Sequence, residues 1–287
     1  MIDGFVVIDK QAGWTSHDVV ARCRKIFGQR RVGHAGTLDP DATGVLLVGL
    51  GRATRLLKYV GDLEKAYVGE IVLGTTTTTL DAAGEVTGTF EMAGVTLEDV
   101  RVGAAKFVGE IEQIPPMVSA VQVGGQRLHA LARQGVEVER APRPATIYSF
   151  EVLGWAAEGV AAVDVVCSTG TYVRTLADDL GRALGGGAHL RNLRRRAVGS
   201  FVVEHAVALD ALTAEAARPA ADLLAHVPSI TANETELDAV AHGRALVPEV
   251  PDPTVDTVRV LAADGTLVAV YRRNGNKLVA DVVLLGS

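Results

Sequence analysis

The sequence predicts an α+β fold with a mixed, mainly antiparallel sheet, followed by a small β-rich C-terminal domain. Segments of strand and helix character interleave without the regular alternation that builds parallel βαβ units. Of the 287 residues, 48% are apolar, which is enough for one large core or two unequal domains. Past residue 228, prolines and hairpin turns replace helical periodicity. The domains are therefore expected at residues 1–228 and 229–287.

Apolar runs, helical periodicity and a glycine-rich loop define the elements of the first hundred residues. Thr15-Ser16 has the residue types that cap a helix, and Val45–Leu50 is apolar throughout, as expected of a buried strand. The predicted elements are a strand at Phe5–Asp9, a helix at Asp18–Phe27, a loop at Gly33–Gly44, a strand at Val45–Leu50, a short helix at Ala53–Val60, strands at Tyr67–Leu73 and Thr75–Thr79, and a helix at Leu97–Phe107.

The later elements follow from the same signals. The segment Gln126–Gly135 has the spacing of an amphipathic helix. Asp264-Gly265 and Asn274-Gly275 are hairpin signals between short strands. The other predicted elements are paired strands at Tyr148–Trp155 and Val160–Cys167, a helix at Thr171–Leu184, an alanine-rich helix at Thr213–Leu224, and strands at Val258–Ala262, Leu267–Arg272 and Leu278–Leu285.

The charge distribution restricts the kinds of partner. A net charge of −6 argues against a general nucleic-acid binder. Residues 1–60, however, hold nine Lys and Arg against five Asp, whereas residues 232–256 hold one Arg against six acidic residues. A second basic cluster lies at residues 191–196. Since local basic patches rather than net charge meet phosphates, the sequence permits RNA binding.

Cysteine usage and hydropathy indicate the compartment. Cys23 and Cys167 lie far apart and outside any C-x-x-C spacing, so we expect two buried, reduced thiols and neither a disulfide framework nor a zinc site. The N-terminus lacks the shape of a signal peptide, and no apolar run approaches the roughly 18 residues of a membrane span. We therefore expect a cytoplasmic protein without membrane contact.

The segment from Gly33 to Gly44 carries one imidazole, two carboxylates and two hydroxyls just before the predicted buried strand. A polar loop leading into a buried strand is a common way to mount reactive groups on a rigid support. On its own, Asp39-Pro40 would indicate only a surface bend. The whole pattern, G-H-x-G-x-L-D-P-x-A-x-G, resembles the signature of the bacterial tRNA pseudouridine synthases that modify uridine 55 in the T-loop.

Four further segments resemble motifs of the same family, in the same order, so that the resemblance spans about residues 4 to 210. In this sequence they are GFVVIDKQAGWTS from Gly4, Lys65-Ala66-Tyr67, STGTYVR from Ser168 and GAHLRNLRR from Gly187. Gln11 stands where the family usually has proline, which affects the rigidity of that turn. Thr78 stands where the family usually has an aspartate before Asp81, which affects one polar contact.

The resemblance implies a pseudouridine-synthase fold and an isomerase that needs neither cofactor nor metal. It makes Asp39 the carboxylate that acts on the glycosidic bond, by attack on ribose C1′, by attack on uracil C6, or by promoting a glycal. Arg174 would keep that aspartate ionised, since a buried carboxylate without a cation becomes neutral. Tyr67 would stack on the uracil and lie near the C5 proton. Asp39, Tyr67 and Arg174 are thus the expected catalytic residues.

The same resemblance implies how RNA is held. Tyr172 would lie beneath the base and Leu193 would close the pocket. His34, which has no second metal ligand at suitable spacing, would fill the space left when the target nucleotide rotates out. Candidate phosphate contacts are Lys10, Arg55 and the cluster Arg191–Arg196. Residues 114–135 resemble a mobile insertion that closes over the T-arm, although a plain helical hairpin also explains their pattern.

The partner is expected to be the T-arm stem-loop of tRNA, bound by a monomer without an obligate protein partner. A non-catalytic RNA-binding module is the first alternative, but RNA binding without catalysis does not require a carboxylate that faces RNA phosphates. An enzyme of the same superfamily acting on ribosomal RNA or inside a guide-RNA particle is the second. By analogy, residues 229–287 are an RNA-binding domain of the PUA type; a structural cap for the larger domain is the competing interpretation.

Overall fold

A computed structural model describes residues 2–119, 121–128, 131, 134–136, 138–246 and 255–285. The strands among these residues are β1 (Gly4–Lys10), β2 (Val32–Ala35), β3 (Thr43–Leu50), β4 (Lys65–Leu73), β5 (Thr75–Thr77), β6 (Val86–Thr89), β7 (Gly109–Gln113), β8 (Gln122–Val123), β9 (Gln126–Arg127), β10 (Arg143–Ala157), β11 (Val160–Cys167), β12 (Ala188–Val198), β13 (Phe201–Val202), β14 (Val207–Ala208), β15 (Arg218–Pro219), β16 (Ser229–Thr231), β17 (Thr257–Leu261), β18 (Leu267–Asn274) and β19 (Lys277–Val283).

The helices of the described residues are few and mostly short. Thr15 begins the first with a capping box, in which its side chain and that of Asp18 each accept from the other's backbone N–H. None of these helices is both long and apolar enough to cross a membrane. They are α1 (Ser16–Ile26), α2 (Leu57–Gly61), α3 (Leu97–Ala105), α4 (Val173–Ala183), α5 (Ala220–Leu223) and α6 (Glu234–Ala241), with 3-10 turns at Gly51–Leu56, Val203–His205 and Ala214–Ala216.

One large sheet organises the chain up to about residue 219. Its strand order is β14-β1-β3-β12-β4-β11-β10-β7, and β2, β13 and β15 pair alongside. Strands β1–β14 and β3–β12 pair in parallel, whereas the other pairs along this order are antiparallel. The predicted α+β class with a mixed, mainly antiparallel sheet is confirmed.

Apolar side chains cover both faces of this sheet. Successive residues of β1 point to opposite faces, so that Phe5 joins one core cluster and Val6 another. Cys23, on α1, lies in the second of these clusters. A third cluster lies beneath α3 and α4 and contains Cys167 and Leu176. Both cysteines are buried, as predicted.

The C-terminal part forms a second sheet of the described residues, in the order β16-β17-β18-β19. The predicted strands and the turns at Asp264-Gly265 and Asn274-Gly275 are confirmed. This sheet does not stand apart. Val270 and Val282 belong to the same core cluster as Phe5. Lys58 also donates to the Asp281 carboxylate at 2.8 Å. Because the apolar cluster is shared, removing residues 229–287 would expose apolar surface of the large sheet.

Three of the predicted elements are wrong at identifiable residues. The predicted helix at Thr213–Leu224 is broken, because Pro219 lies in β15 and cannot donate the helical hydrogen bond. The predicted loop at Gly33–Gly44 begins too early, since residues 33–35 continue β2 and pair with β3. The alternation of apolar and polar residues in Val32–Ala35 is too short to indicate a strand from sequence.

The predicted helix at Gln126–Gly135 also begins wrongly, because Gln126–Arg127 pairs with Gln122–Val123 in a hairpin. Residues 129, 130, 132 and 133 of that prediction lie outside the described residues. One helix was missed. In the acidic run 232–256, Asn233 caps α6 through a capping box with Glu236, and this S/T/N-x-x-E pattern is visible in the sequence.

Gly44 is the glycine on which the junction of β3 and β12 depends. Its φ is +99°, and a Cβ there would lie 2.2 Å from the carbonyl oxygen of Arg195. We expect Gly44→Ala to lower the free energy of unfolding by about 3 kcal/mol or more, through backbone strain and overlap. Gly61→Ala is the control, since a Cβ at Gly61 in α2 would meet no atom within 4 Å, and alanine favours helix. Equal urea midpoints for Gly44→Ala and wild type would contradict this expectation.

Candidate active site

The loop between β2 and β3 is fixed to the start of α1. The Leu38 N–H donates to the Ser16 hydroxyl oxygen at 3.0 Å, and the Ser16 hydroxyl lies 3.2 Å from the Leu38 carbonyl. The Gly13 N–H donates to the Pro40 carbonyl at 3.0 Å. These bonds hold the backbone on both sides of Asp39, so that its carboxylate has a defined position.

Lys10 contributes to the same backbone framework. It is fully buried, and its ammonium donates to the carbonyls of Gln11, Trp14 and Pro40 at 3.1, 2.6 and 2.8 Å. Burial lowers the pKa of Lys10 to about 8. The predicted phosphate contact at Lys10 does not fit this geometry, because its charged end faces carbonyls inside the protein.

Asp39 and Arg174 form a bidentate ion pair. Arg174 Nε lies 3.1 Å from Asp39 Oδ2, and Nη2 lies 3.2 Å from Oδ1. Arg174, in the first turn of α4, has only 6% of its side chain exposed, whereas Asp39 has 39% exposed. The guanidinium therefore supports the carboxylate from within, and the carboxylate keeps a free edge towards solvent.

The other donors of Arg174 are also occupied. Its guanidinium donates to the carbonyls of Thr79 and Val118, both at 2.9 Å, and lies 3.4 Å from Asp81 Oδ2. Asp81 was missed as a site residue. Its position directly after the threonine tract, three residues past Thr78, was the available signal. Val118 belongs to the segment 114–135, which thus contacts the ion pair through its backbone.

The charge state of Asp39 reflects opposing influences. Burial raises the pKa of Asp39 above 3.8, and the Arg174 guanidinium opposes this effect. Asp81 and Asp41 raise the pKa further, and Lys10 lowers it. Asp39 is therefore a carboxylate that is more basic than an ordinary aspartate, and the two opposing influences named from the sequence, burial and the Arg174 cation, both act on it.

Two cavities meet at this ion pair. The smaller, of about 270 Å³, extends along Tyr67 and Tyr172; the larger, of about 500 Å³, extends along Asp81 and Asn192. The residues that line both are Asp39, Arg174 and Leu193. The predicted residues Asp39, Tyr67, Tyr172, Arg174 and Leu193 are thus brought together from distant parts of the chain.

Leu193 reaches both cavities because β12 is irregular at that point. The register of β12 against β4 shifts between Arg191 and Arg194. Asn192, within the shift, has a φ of 52°, and its side chain donates to Glu70 at 3.1 Å. Extra residues in one strand bend it and re-aim its side chains. The bulge explains how a residue of a central strand becomes part of the cavity wall.

Tyr172 is held by a residue that sequence reasoning missed. The Tyr172 N–H donates to Gln113 Oε1 at 2.9 Å, and Gln113 Nε2 donates to the Tyr172 carbonyl at 3.2 Å. Gln113 is buried at the end of β7. This reciprocal pair fixes the backbone at the beginning of α4, just before Arg174. A lone glutamine at the end of a strand gives no sequence signal for this pair of hydrogen bonds.

His34 lies outside both cavities, on β2 opposite Val48. Its ring meets that of His17 edge-to-face, with centroids 5.4 Å apart. Burial lowers the pKa of His34 to about 4, so that the imidazole is neutral at pH 7. Within the described residues, no group of three metal-ligating side chains is suitably placed to hold an ion.

The basic cluster at residues 191–196 is largely paired within the protein. Arg191 contacts Glu70 at 2.6 Å, Arg194 contacts Asp9 at 2.7 Å and Arg196 contacts Asp164 at 2.9 Å. Arg195 is buried and lines the smaller cavity. Arg55 is exposed and donates to the Val283 carbonyl at 2.8 Å. Arg191, Arg194 and Arg196 therefore join β12 to neighbouring strands, and only their remaining donors face solvent.

Comparison with known proteins agrees with this geometry. Residues 24–173 match the TruB family pseudouridylate synthase (N terminal domain), and residues 174–229 match the tRNA pseudouridylate synthase B C-terminal domain. The tRNA pseudouridine synthase B of Mycobacterium sp. (strain KMS) is 47% identical, covering 98% of this chain and 96% of the relative. That of Thermobifida fusca (strain YX) is 45% identical, covering the whole of both chains.

Two solved structures share the fold over nearly the whole chain. One, described as an H/ACA RNP bound to a substrate RNA containing 2'-deoxyuridine, has a TM-score of 0.74 at 26% identity, covering 99% of this chain and 85% of that one. A Cbf5-Nop10-Gar1 complex has a TM-score of 0.74 at 28% identity, covering 97% and 83%.

Fold and site together define a pseudouridine synthase, an enzyme of the isomerase class. The chain belongs to the TruB family of pseudouridylate synthases. The resemblance recognised in the sequence is therefore confirmed.

Burial of Asp39 generates a prediction about stability. A carboxyl whose folded-state pKa is raised destabilises the fold as pH rises from about 3.8 through that pKa, because the folded state keeps its proton longer than the unfolded state. Relative to wild type, Asp39→Asn should gain stability over this range and be at least as stable at pH 7. Urea unfolding at several pH values checks this.

Asp41→Asn, which removes a charge from an exposed position on the same loop, controls for general charge effects. If Asp39→Asn were less stable than wild type at pH 7 by more than about 1 kcal/mol, the ion pair would outweigh the cost of burial.

Proposed function

We propose that this enzyme converts uridine 55 in the T-loop of tRNA to pseudouridine. The proposal is supported by 45–47% identity, over nearly the whole chain, to relatives named tRNA pseudouridine synthase B. The observation that carries it is the bidentate Asp39–Arg174 pair, with a free carboxylate edge at the junction of two cavities. The reaction needs a carboxylate and a route for a proton, and it needs no cofactor or metal.

The target nucleotide leaves the T-loop and enters the smaller cavity. Its uracil stacks on Tyr67, with Tyr172 beneath and Leu193 as the apolar wall, and such stacking contributes about 1–3 kcal/mol per base. The ribose then lies at the junction of the cavities, beside Asp39. Extrusion costs a few kcal/mol, which these contacts offset.

Asp39 acts on the glycosidic bond as nucleophile or charge stabiliser. Attack on C1′, attack on C6 and formation of a glycal all use the free carboxylate edge. Arg174 stays charged and keeps the carboxylate oriented in each case, because its planar fork binds both carboxylate oxygens and its remaining donors are bound to backbone carbonyls.

His34 takes the place that the extruded nucleotide leaves. A neutral imidazole suits this task, since a flat uncharged ring can stack on bases without a counter-ion. Arg55 and the solvent-facing donors of the arginine cluster contact RNA phosphates. Residues 114–135 close over the T-arm, and the bond from Arg174 to the Val118 carbonyl would couple that closure to the ion pair.

Residues 229–287 form a PUA-type domain that contacts the tRNA backbone, attached to a catalytic domain of residues 1–228. The enzyme acts in the cytoplasm as a monomer without an obligate protein partner. A role inside a guide-RNA particle is less well supported: identity to the chains of the H/ACA RNP and the Cbf5-Nop10-Gar1 complex is 26–28%, against 45–47% to the relatives named as tRNA enzymes. Pseudouridine mapping on total RNA from cells lacking the protein distinguishes these functions by the site that loses the modification.

Charge at Asp39 is the requirement most directly testable. Asp39→Asn keeps the shape and removes the charge, so turnover of a T-arm stem-loop should vanish while its Kd stays within about tenfold. Arg174→Lys should be severely impaired as well, because one ammonium cannot reproduce the planar fork. Single-turnover rates and filter binding provide the measurements. Turnover by Asp39→Asn within an order of magnitude of wild type would refute its assignment.

The contribution of the C-terminal sheet is testable in the full-length chain. Neutralising Arg272, Arg273 and Lys277 together should weaken binding of full-length tRNA, with the largest effect at low salt, and leave the isolated stem-loop unaffected. The matched control neutralises Asp264 and Glu234, exposed acidic residues of the same region. If the cationic triple variant bound both RNAs as wild type does at two salt concentrations, the structural-cap interpretation would hold.

A further inference from the structure

Arg195 is an arginine buried without a carboxylate partner. It is 1% exposed, and its guanidinium takes part in none of the ion pairs formed by the described residues. Nε donates to the Val45 carbonyl at 2.7 Å and Nη2 donates to the Gly36 carbonyl at 2.9 Å. A guanidinium held in the interior without a carboxylate bound to it keeps its full positive charge, and burying such a charge is costly.

The position of Arg195 relates it to Tyr67. The two residues are directly opposite each other in the β12–β4 pair, where side chains on one face are close neighbours. Both line the smaller cavity. Lys65 precedes Tyr67 by two residues, lies on the same face of β4 and lines the cavity too; its ammonium donates to the carbonyls of Gly61 and Leu63 at 2.8 Å. Two buried cations thus line the same cavity as the Tyr67 side chain.

The groups that face Tyr67 act in opposite directions. Burial raises the pKa of Tyr67 most strongly, and Cys167 on β11 and Asp39 on the catalytic loop raise it further. Arg195 lowers it, both by its charge and by a hydrogen bond to the phenol. Burial also lowers the pKa of Lys65 to about 8, with Arg195 adding to the effect. Arg195 is therefore the permanent positive charge beside the tyrosine.

We propose that Arg195 is a positioning residue that enables Tyr67 to act as the base for the C5 proton of the rejoined uracil. The inference rests on the proposed function. After C5 bonds to ribose C1′, C5 carries both the sugar and its original hydrogen. The Tyr67 phenolate takes that proton, the C5–H electron pair becomes the C5=C6 bond, and the C6=N1 π electrons move to N1. N1 then takes up one proton while the Tyr67 phenol releases the one that it gained, so that the phenolate is restored and the net change is transfer of one proton from C5 to N1.

An isotope experiment separates this role from a structural one. Stem-loop RNA carrying 5-deuterouridine at the target is compared with the unlabelled RNA for wild type, Arg195→Met and Arg195→Lys. We expect Arg195→Met to lower kcat about 100-fold with KM within about threefold, since removal of one aimed donor has effects of this size. Its kcat ratio of protium to deuterium substrate should rise above that of wild type, because C5 deprotonation becomes rate-limiting. The kcat and the isotope ratio of Arg195→Lys should lie between those of wild type and those of Arg195→Met.

A double-mutant cycle with Tyr67→Phe provides the second readout. If Arg195 acts through the phenol, Tyr67→Phe/Arg195→Met should be no slower than Tyr67→Phe alone, since coupled residues are non-additive. Arg259→Met is the control. Arg259 is half-buried and, like Arg195, donates to a backbone carbonyl, that of Ala221 at 2.9 Å, but it lies outside the cavity lining, so its removal should leave kcat unchanged.

Three results would overturn the inference: unchanged kcat in Arg195→Met, a lower kcat with an unchanged isotope ratio, or additive losses in the cycle. If Arg195→Met fails to fold, Arg195→Lys carries both comparisons. Wild-type kcat in Tyr67→Phe would instead refute the catalytic role of Tyr67 within the proposed function. The two failures are thus distinguishable.

Discussion

The pairing of Asp39 with Arg174 is the interaction on which the rest of the site depends. A carboxylate in a cavity loses its charge unless a cation is held beside it, and a cation in the interior needs its own acceptors. Arg174 meets both conditions, because it binds Asp39 through two nitrogens and also donates to two backbone carbonyls. Those carbonyls belong to Thr79 and Val118, so that one guanidinium joins the loop that carries Asp39 to the segments following β5 and β7.

The cations of the family motifs act mainly on the backbone. Lys10 binds the Pro40 carbonyl and Arg195 binds the Gly36 carbonyl, one on each side of Asp39. Lys65 binds two carbonyls before β4. Carbonyls satisfy these charges without neutralising them. The interior around the loop that carries Asp39 therefore contains several cationic side chains held by backbone carbonyls.

The sequence was sufficient for the features that depend on local pattern. Strand alternation, the Thr15 cap and the Asn274-Gly275 turn each need only a few neighbouring residues, and all are present in the structure. The membership of Tyr67, Tyr172 and Leu193 in one cavity came from resemblance, since no spacing rule joins residues more than a hundred positions apart.

The features that were missed depend on three-dimensional burial. A lysine in a loop motif has the same letter whether it faces phosphate or carbonyls, and for Lys10 only the fold reveals that it faces carbonyls. Gln113 and Asp81 likewise acquire their roles from strands that pair far along the chain. The helix predicted through Pro219 is different, because the sequence alone forbade it.

Burial and charge together explain why the loop that carries Asp39 is backed by a buried arginine rather than lying free on the surface. An exposed Asp–Arg pair would be worth little and would move freely, whereas the sheet removes water from Arg174 and leaves only the edge of Asp39 open. The cost of this arrangement is a raised pKa for Asp39 and an unneutralised charge at Arg195. Both are local destabilisations, tolerated because the three core clusters around the sheet supply the stability and the site supplies the chemistry.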